Sequence, residues 1–275
     1  MSQHPSVAGF YDRLAPDYHL IFPDWDASMA RQGAALNAVI RAHRNSEDLA
    51  DVLDCSCGIG TQAIPLARHG HRVTGTDISA SATARAAREA AARRVRLPTA
   101  VADMRRLPFA DARFDVVVCA DNSLPHLLTP DDIHAALTEM RRVLRSTGLL
   151  ITTTRPYDEI RRNRPASAPP QVGPAPHGRA ITFQLWHWHE DGERYDLEHF
   201  QLVPTGAEGA EGAGEGEAWD VRVRRTTYWA LTRQQLSGFA TAAGFTEPAW
   251  HTPEDTGFYQ PVLTAVAGSG QPGRP

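Results

Sequence analysis

The 275-residue chain contains no lysine, so every one of its 28 basic residues is arginine. Codon bias in a GC-rich genome explains that absence better than a functional demand does. Cysteine is scarce as well: Cys55, Cys57 and Cys119 are the full set. A small, odd number excludes a disulfide framework. The C-x-C at 55–57 is not zinc spacing, and no second ligand pair follows at a zinc-like distance. Small buried cysteines near a strand are the better account. No apolar run reaches the ~18 residues of a membrane-crossing helix. The start, MSQHPSVAGFYDRL, lacks a basic-then-apolar signal pattern, so a cytoplasmic protein with no membrane partner is expected. An excess of positive charge is missing too. A net charge of −4 and a pI near 6.3 argue against a nucleic-acid partner, which needs a basic face.

What is present is an ordinary globular composition, 42% hydrophobic and 22% charged, enough for one α/β domain with an insertion or two small domains. Residues 10–45 read as helical, with aromatics early in the stretch. Strands and helices then alternate. Strands are expected at 51–55, 72–76, 99–102, 114–120 and 148–154. Helices are expected at 61–69, closed by Gly70, at 79–94, and at 130–144, capped by Thr129. The strand FDVVVCA at 114–120 is almost wholly apolar, as a parallel strand buried on both faces should be. Repeated crossovers of this kind predict a parallel, doubly wound sheet with ligands at the carboxyl ends of its strands.

After Arg155 the pattern changes. Residues 161–180 read as irregular and Pro/Arg-rich. Residues 181–203 alternate about an EDGE turn as a β-hairpin. Residues 205–218 are a Gly/Glu low-complexity loop, expected to be flexible. Residues 221–229 form another strand, 232–243 a helix stopped by Gly244, and 261–267 a final strand. The expected organisation is an N-terminal helical cap (1–50), a cofactor core (51–155), an antiparallel lid insertion (156–229), and a C-terminal helix and strand completing the core (230–275).

The segment DVLDCSCGIGTQAIPLA at 51–67 sets Asp54, Gly58 and Gly60 between a strand and a helix N-terminus. Glycines there let backbone approach a ligand with no Cβ in the way. A lone G-x-G is weak. It gains weight because the next strands end in Asp77, Asp103-Met104 and Asp121-Asn122-Ser123. Asp77 suits ribose hydroxyls. Asp103 suits an adenine amine, with Met104 on the ring. Two nucleoside cofactors fit. NAD wants a third glycine for its pyrophosphate, and Ala63 stands there, a replacement that does not exclude it. S-adenosylmethionine has no pyrophosphate, and its cationic methionyl end suits Asp54.

Together D-x-x-C-G-x-G, Asp77, Asp103-Met104 and FDVVVCADNSL resemble, in order and spacing, the motifs of class I S-adenosylmethionine-dependent methyltransferases over roughly 50–155. The resemblance implies a Rossmann-like seven-stranded sheet with its last strand antiparallel. It implies S-adenosyl-L-methionine as cofactor, S-adenosyl-L-homocysteine as product, and cofactor contacts from Asp54, Ser56, Gly58, Gly60, Gln62, Asp77, Ile78, Asp103, Met104, Ala120, Asp121 and Ser123. ADNSLPHL (120–127), RPYDEI (155–160) and RRTTYWAL (224–231) look like segments of glycine N-methyltransferase and glycine–sarcosine methyltransferase. That likeness implies a substrate site of Asn122, Arg155 and Tyr228, and a cofactor cover of Tyr18, Trp25 and Arg31. A guanidinium suits a carboxylate through a two-pronged fork.

The expected reaction is therefore methylation of a small amine or amino acid. A natural-product O- or N-methyltransferase and a nicotinamide-dependent oxidoreductase are the alternatives. Nucleic-acid amino-methyltransferases carry N/D-P-P-Y/F where this chain has DNSL. Asn122 and Tyr228 are the candidate orienting groups for the amine. His126 is the candidate base, with a turn-capping role as its equal rival. Residues 186–189, WHWH, place His187 and His189 on one strand face without a third ligand, so no metal is expected. Arg93, Arg94 and Arg96 read as a solvated helix end. A homo-oligomer is possible.

Overall fold

In a computed structural model, residues 6–44, 48–175, 177–205 and 218–268 are described. The Gly/Glu loop expected at 205–218 lies almost wholly outside these residues. The chain opens with α1 (Val7–Leu14), a 3-10 turn (Tyr18–Ile21) and α2 (Trp25–Arg44). The helical stretch is thus broken between Ala15 and Asp24, where Pro16 and Pro23 sit. Then follow β1 (Asp51–Asp54), α3 (Ala63–Arg68), β2 (Arg72–Asp77), α4 (Ala80–Ala92), β3 (Thr99–Val101), β4 (Phe114–Cys119), α5 (Pro130–Val143) and β5 (Leu144–Thr153).

The insertion comprises α6 (Tyr157–Asn163), β6 (Ser167–Ala175), β7 (Gly178–Trp188), β8 (Arg194–Pro204) and β9 (Trp219–Trp229). The chain closes with α7 (Arg233–Ala242), β10 (Phe245–His251), α8 (Pro253–Thr256) and β11 (Val262–Ala267).

Seven strands form one sheet in the order β10-β11-β5-β4-β1-β2-β3. Neighbours from β5 to β3 run parallel, while β11 is antiparallel to both β5 and β10. This is the doubly wound, seven-stranded Rossmann-like fold expected. Its centre follows from composition: Val116, Val117 and Val118 of β4 are 0% exposed because helices cover both faces. One face buries Leu53, Val117 and Leu150 against Ile133, Leu137 and Met140 of α5. The other buries Val52, Val116 and Ile151 against Leu36 and Ile40 of α2 and Ile64 of α3. Each such side chain contributes roughly 1.5–3 kcal/mol of transfer free energy.

The region 161–180 is not irregular. The chain continues α6 to Asn163 and forms β6 from SAPPQVGPA, which pairs with β7 at the edge of a second, antiparallel sheet, β6-β7-β8-β9. Proline is tolerated on an edge strand, and the register slips between Ala168 and Gln171, where Pro169 and Pro170 sit. β10 was not expected from the sequence, and it too is an edge strand with a register shift and an internal proline, Pro248.

α2 approaches α3 at Gly33. A Cβ there would stand 2.3 Å from Pro65 Cβ. Gly33→Ala is therefore expected to lower stability by about 1–3 kcal/mol through overpacking, measured by urea denaturation. Unchanged stability would show that α2 is not seated on α3 as described.

Candidate active site

Asp54, Asp77, Asp121 and Thr153 stand at the carboxyl ends of neighbouring parallel strands or one to two residues beyond them, and three cavities open above them. The first, of about 360 Å³, is lined by Ser56, Gly58, Gln62, Asp77, Ile78, Met104 and Ser123, with Tyr11 and Tyr18 from the N-terminal segment. The second, of about 480 Å³, is lined by Arg31, Arg155, Gln184 and Trp186 among others. A third, of about 70 Å³, is enclosed by Tyr11, Tyr18, Asn122, Arg155, His199 and Tyr228. Asp121 borders all three.

The glycine turn leaves open space beside its backbone. Gly58 takes φ +51°, a Cβ at it would meet nothing within 4 Å, and its amide donates to Asp77 Oδ2 at 2.9 Å. Gly60 serves differently. It also has positive φ, +96°, but a Cβ would strike Ile64 Cδ1 at 2.6 Å, so it fits the turn onto α3 and does not line the cavity. Asp77 Oδ1 accepts from the Ser79 amide. Burial raises the Asp77 pKa, and the two amides oppose that rise. Asp54 is 0% exposed, beneath the turn. Its Oδ1 accepts from the Ser56 amide, and Oδ2 has no partner. Burial, helped by the charge of Asp77, pushes Asp54 up to about 7 against the Ser56 hydrogen bond. An orphaned buried oxygen is costly unless a donor meets it.

The other expected cofactor residues divide. Gln62 donates to Gln32 at 2.7 Å, and Tyr18 donates to Asp121 Oδ2 at 2.9 Å. Asp103 has both oxygens held by Arg105, which also bonds Asp132 at 2.6 Å. Ala120 is buried, and its carbonyl accepts from Ser123. Trp25 lines none of the three cavities. Its indole donates to Thr61 at 3.0 Å, and the guanidinium groups of Arg85 and Arg93 lie over its ring at 5.5 and 5.0 Å. Arg31 is exposed and faces the second cavity, not the glycine turn.

The expected substrate residues come together in the smallest cavity. Asp121 and Asn122 both adopt left-handed backbone, φ +56° and +65°. Such residues cost about 1–3 kcal/mol each and persist where the surroundings fix them. Here Thr153 accepts from both amides. Asn122 Oδ1 accepts from the Arg155 amide at 3.2 Å, while its buried Nδ2 has no partner. The Arg155 guanidinium donates to Tyr195 Oη at 2.6 Å and Gln184 Oε1 at 3.2 Å. It lies between the rings of Trp186 and Tyr228, 4.9 and 5.1 Å from their centroids. No carboxylate among the described residues forms an ion pair with it.

His126 Nε2 meets Tyr11 Oη at 2.7 Å, and the imidazole packs at a tilt against Tyr228 with ring centroids 4.2 Å apart. Burial first, and then the charge of Arg155, push its pKa down to about 3. So weak a base does not take a proton from an ammonium near neutral pH. Its uncharged ring instead shares a hydrogen bond with Tyr11 and fixes that hydroxyl. Tyr11, Gln184, Tyr195 and Tyr259, which donates to Asp121, were not singled out from the sequence. Only the early aromatic cluster hinted at Tyr11. No group of three metal-ligating side chains occurs among the described residues. His187 and His189 instead pair with Glu198 at 3.5 Å and Asp196 at 3.2 Å. All three cysteines are free and buried, and no described helix is long and apolar enough to cross a membrane.

Residues 52–148 match the family model described as "Methyltransferase domain". The seven-stranded sheet that contains this matched segment has the fold of solved S-adenosylmethionine-dependent methyltransferases, to which the chain is similar. The chain is 35% identical over 138 residues to the glycine/sarcosine N-methyltransferase of Parasynechococcus marenigrum (strain WH8102), covering 50% of this chain and 48% of that one. It is 30% identical over 138 residues to the enzyme of the same name from Aphanothece halophytica, covering 50% and 51%. The chain thus spans about half the length of the curated relatives it matches. Among solved structures, the CcbJ methyltransferase from Streptomyces caelestis shares the fold, with a TM-score of 0.70, 20% identity, and coverage of 94% of this chain and 98% of that one.

Proposed function

We propose that the protein transfers a methyl group from S-adenosyl-L-methionine to the nitrogen of a small carboxylate-bearing amine of the glycine or sarcosine kind. The observation that carries this reading is Arg155, a half-buried guanidinium that lies beside a small cavity and forms no ion pair with any carboxylate among the described residues. A buried charge is tolerated when a partner arrives. Asn122 Nδ2 opens the same cavity with an unpaired donor. A guanidinium whose hydrogen-bond acceptors are uncharged, beside an amide donor with no partner, asks for an anion, and the names of the relatives agree.

The residues of the first cavity suit the cofactor. Gly58 leaves room for close approach, and Asp77 offers acceptors to ribose hydroxyls. Asp54 lies beneath the turn and outside the lining of the cavity, and its unmet Oδ2 would take a cationic amine only where the ligand reaches past the turn. When bound, S-adenosyl-L-methionine supplies the electrophilic methyl group and leaves as S-adenosyl-L-homocysteine. Arg155 and Asn122 fix the acceptor's carboxylate, so its nitrogen points toward Tyr11, Tyr18 and Tyr228. Those hydroxyls orient the nitrogen lone pair, with Asp121 accepting from Tyr18 and His126 bonded to Tyr11. Orientation of this kind is worth effective molarities of up to ~10⁵–10⁸ M.

Because His126 is too weak a base, the amine loses its proton before transfer. At saturating cofactor, kcat/KM should rise about tenfold per pH unit from pH 6.5 to 8.5 and level off at the pKa of the free amine. An inflection near pH 6.5 that disappears in His126→Asn would instead make His126 the base.

The reading is tested by S-adenosylhomocysteine release over glycine, sarcosine, other amino acids, simple amines and phenols. Turnover confined to carboxylate-bearing amines supports it. A second reading rests on the 480 Å³ cavity beside Arg155, which is roomy for glycine. It makes the acceptor a larger natural product, and turnover confined to bulky amines or phenols would favour it.

A further inference from the structure

Six arginines line an open cleft of about 760 Å³ at the amino ends of the strands: Arg68, Arg72, Arg93, Arg94, Arg96 and Arg113. This cleft is separate from the cavities above. Arg72 opens β2 and Asp77 closes it, and five residue steps at ~3.3 Å put the two ends about 16 Å apart. We propose that the cleft is a second ligand site, for a compact, multiply charged anion of the polyphosphate type.

The charges within the cleft do not balance. Asp51 is its acidic residue, and it is already taken by Arg72 at 2.7 Å and Arg145 at 2.9 Å, with Arg113 at 3.4 Å. Arg93 is held by Glu89 and Asp26. Among the described residues no carboxylate forms an ion pair with Arg68, Arg94 or Arg96. Placing six guanidinium groups around one cleft is unfavourable unless an anion joins them. Helix ends account for part of the cluster, since Arg68 closes α3 and Arg93 follows α4, where cations suit the negative end of the dipole. They do not account for Arg94 or Arg96.

Arg94 adds an independent sign. The Val95 amide reaches back to the Ala90 carbonyl at 2.9 Å, which closes α4 with a Schellman turn. Arg94 is the left-handed residue of that turn, φ +56°. Glycine is favoured there, and a side chain costs stability. A residue that breaks a local rule while facing a charged cleft marks a site in use. The ligand is compact because the cluster's field fades within about 8 Å at physiological salt. Beyond that range, a chain of net charge −4 repels an extended polyanion.

The test is calorimetric titration of the full chain with inorganic tripolyphosphate and with ATP at 50 and 200 mM salt. Saturable one-to-one binding that weakens with salt is expected. Equal affinities assign recognition to the phosphates alone, and tighter ATP adds the nucleoside. Arg94→Gly should raise Tm by ~2–4 °C while weakening tripolyphosphate at least fivefold. Arg96→Gln should weaken it without the gain in Tm. Affinity for S-adenosylhomocysteine should not change in either variant, which separates this site from the catalytic one. No saturable binding at low salt, binding indifferent to both substitutions, or tighter binding of a 20-nucleotide single strand than of tripolyphosphate would each overturn the proposal.

Discussion

Replacing Arg155 by methionine is expected to lower kcat/KM for a carboxylate-bearing amine by about 10²–10³-fold, because truncating one partner of a buried charge pair costs ~2–5 kcal/mol. The same substitution should leave the unliganded protein as stable as before, or more so. Arg155 has tyrosine and glutamine partners but no ion pair among the described residues, and a well-packed apolar side chain often replaces buried charge without loss. Methionine is flexible enough to fill the slot between Trp186 and Tyr228. Arg155→Lys keeps the charge but loses the planar fork, so its activity should fall between the two. Rates on the amine and urea unfolding of the free protein are the paired measurements. Full turnover by Arg155→Met would remove the carboxylate clamp. A marked loss of stability would show that the arginine serves the fold and not a ligand.

The second large effect concerns Asp54. Its pKa rises from 3.8 to about 7 on folding. An acid raised in this way binds its proton more tightly in the folded state, so stability falls as pH rises from about 4 to 7. Asp54→Asn removes that loss and should stabilise the unliganded protein by roughly 2–4 kcal/mol at pH 8, with little gain at pH 4. Function should move the other way. Affinity for S-adenosylhomocysteine should drop by one to two orders of magnitude, the ~1.5–3 kcal/mol of a hydrogen bond to a charged group. In the wild type that affinity should climb with pH up to about 7, with proton release seen by titration in buffers of different ionisation enthalpy. In Asp54→Asn both the climb and the release should vanish. Identical affinities at pH 8, or release that persists in the variant, would place the ligand's amine elsewhere.

Sequence and structure agree best where one local rule decides. FDVVVC could only be a strand covered on both sides, and Thr129, Gly70 and Gly244 mark helix ends whatever lies around them. The edge strands were harder. β6 carries prolines at 169, 170 and 174, and β10 carries Pro248. Nothing in their hydropathy marks them as strands, because their partners supply the order. The acidic strand ends pointed to the site because parallel topology brings strand ends together. Tyr11, Gln184, Tyr195 and Tyr259 were hidden because their places depend on how α1, the second sheet and the α8–β11 turn are laid over those ends. The weakness of His126 as a base was hidden as well, since it comes from burial and from Arg155, a neighbour 29 residues away in the chain.

The seven-stranded order carries a consequence for how the molecule is made. β11 lies between β5 and β10, yet it leaves the ribosome after every other strand. Until then β5 shows a bare edge with Leu149, Leu150 and Ile151 along it, and β10 has no partner. The hairpins of the insertion close on local contacts and can form earlier. On a nascent chain the second sheet can therefore be complete while the main sheet still lacks β11, and chaperone binding during synthesis is expected to concentrate on that exposed edge.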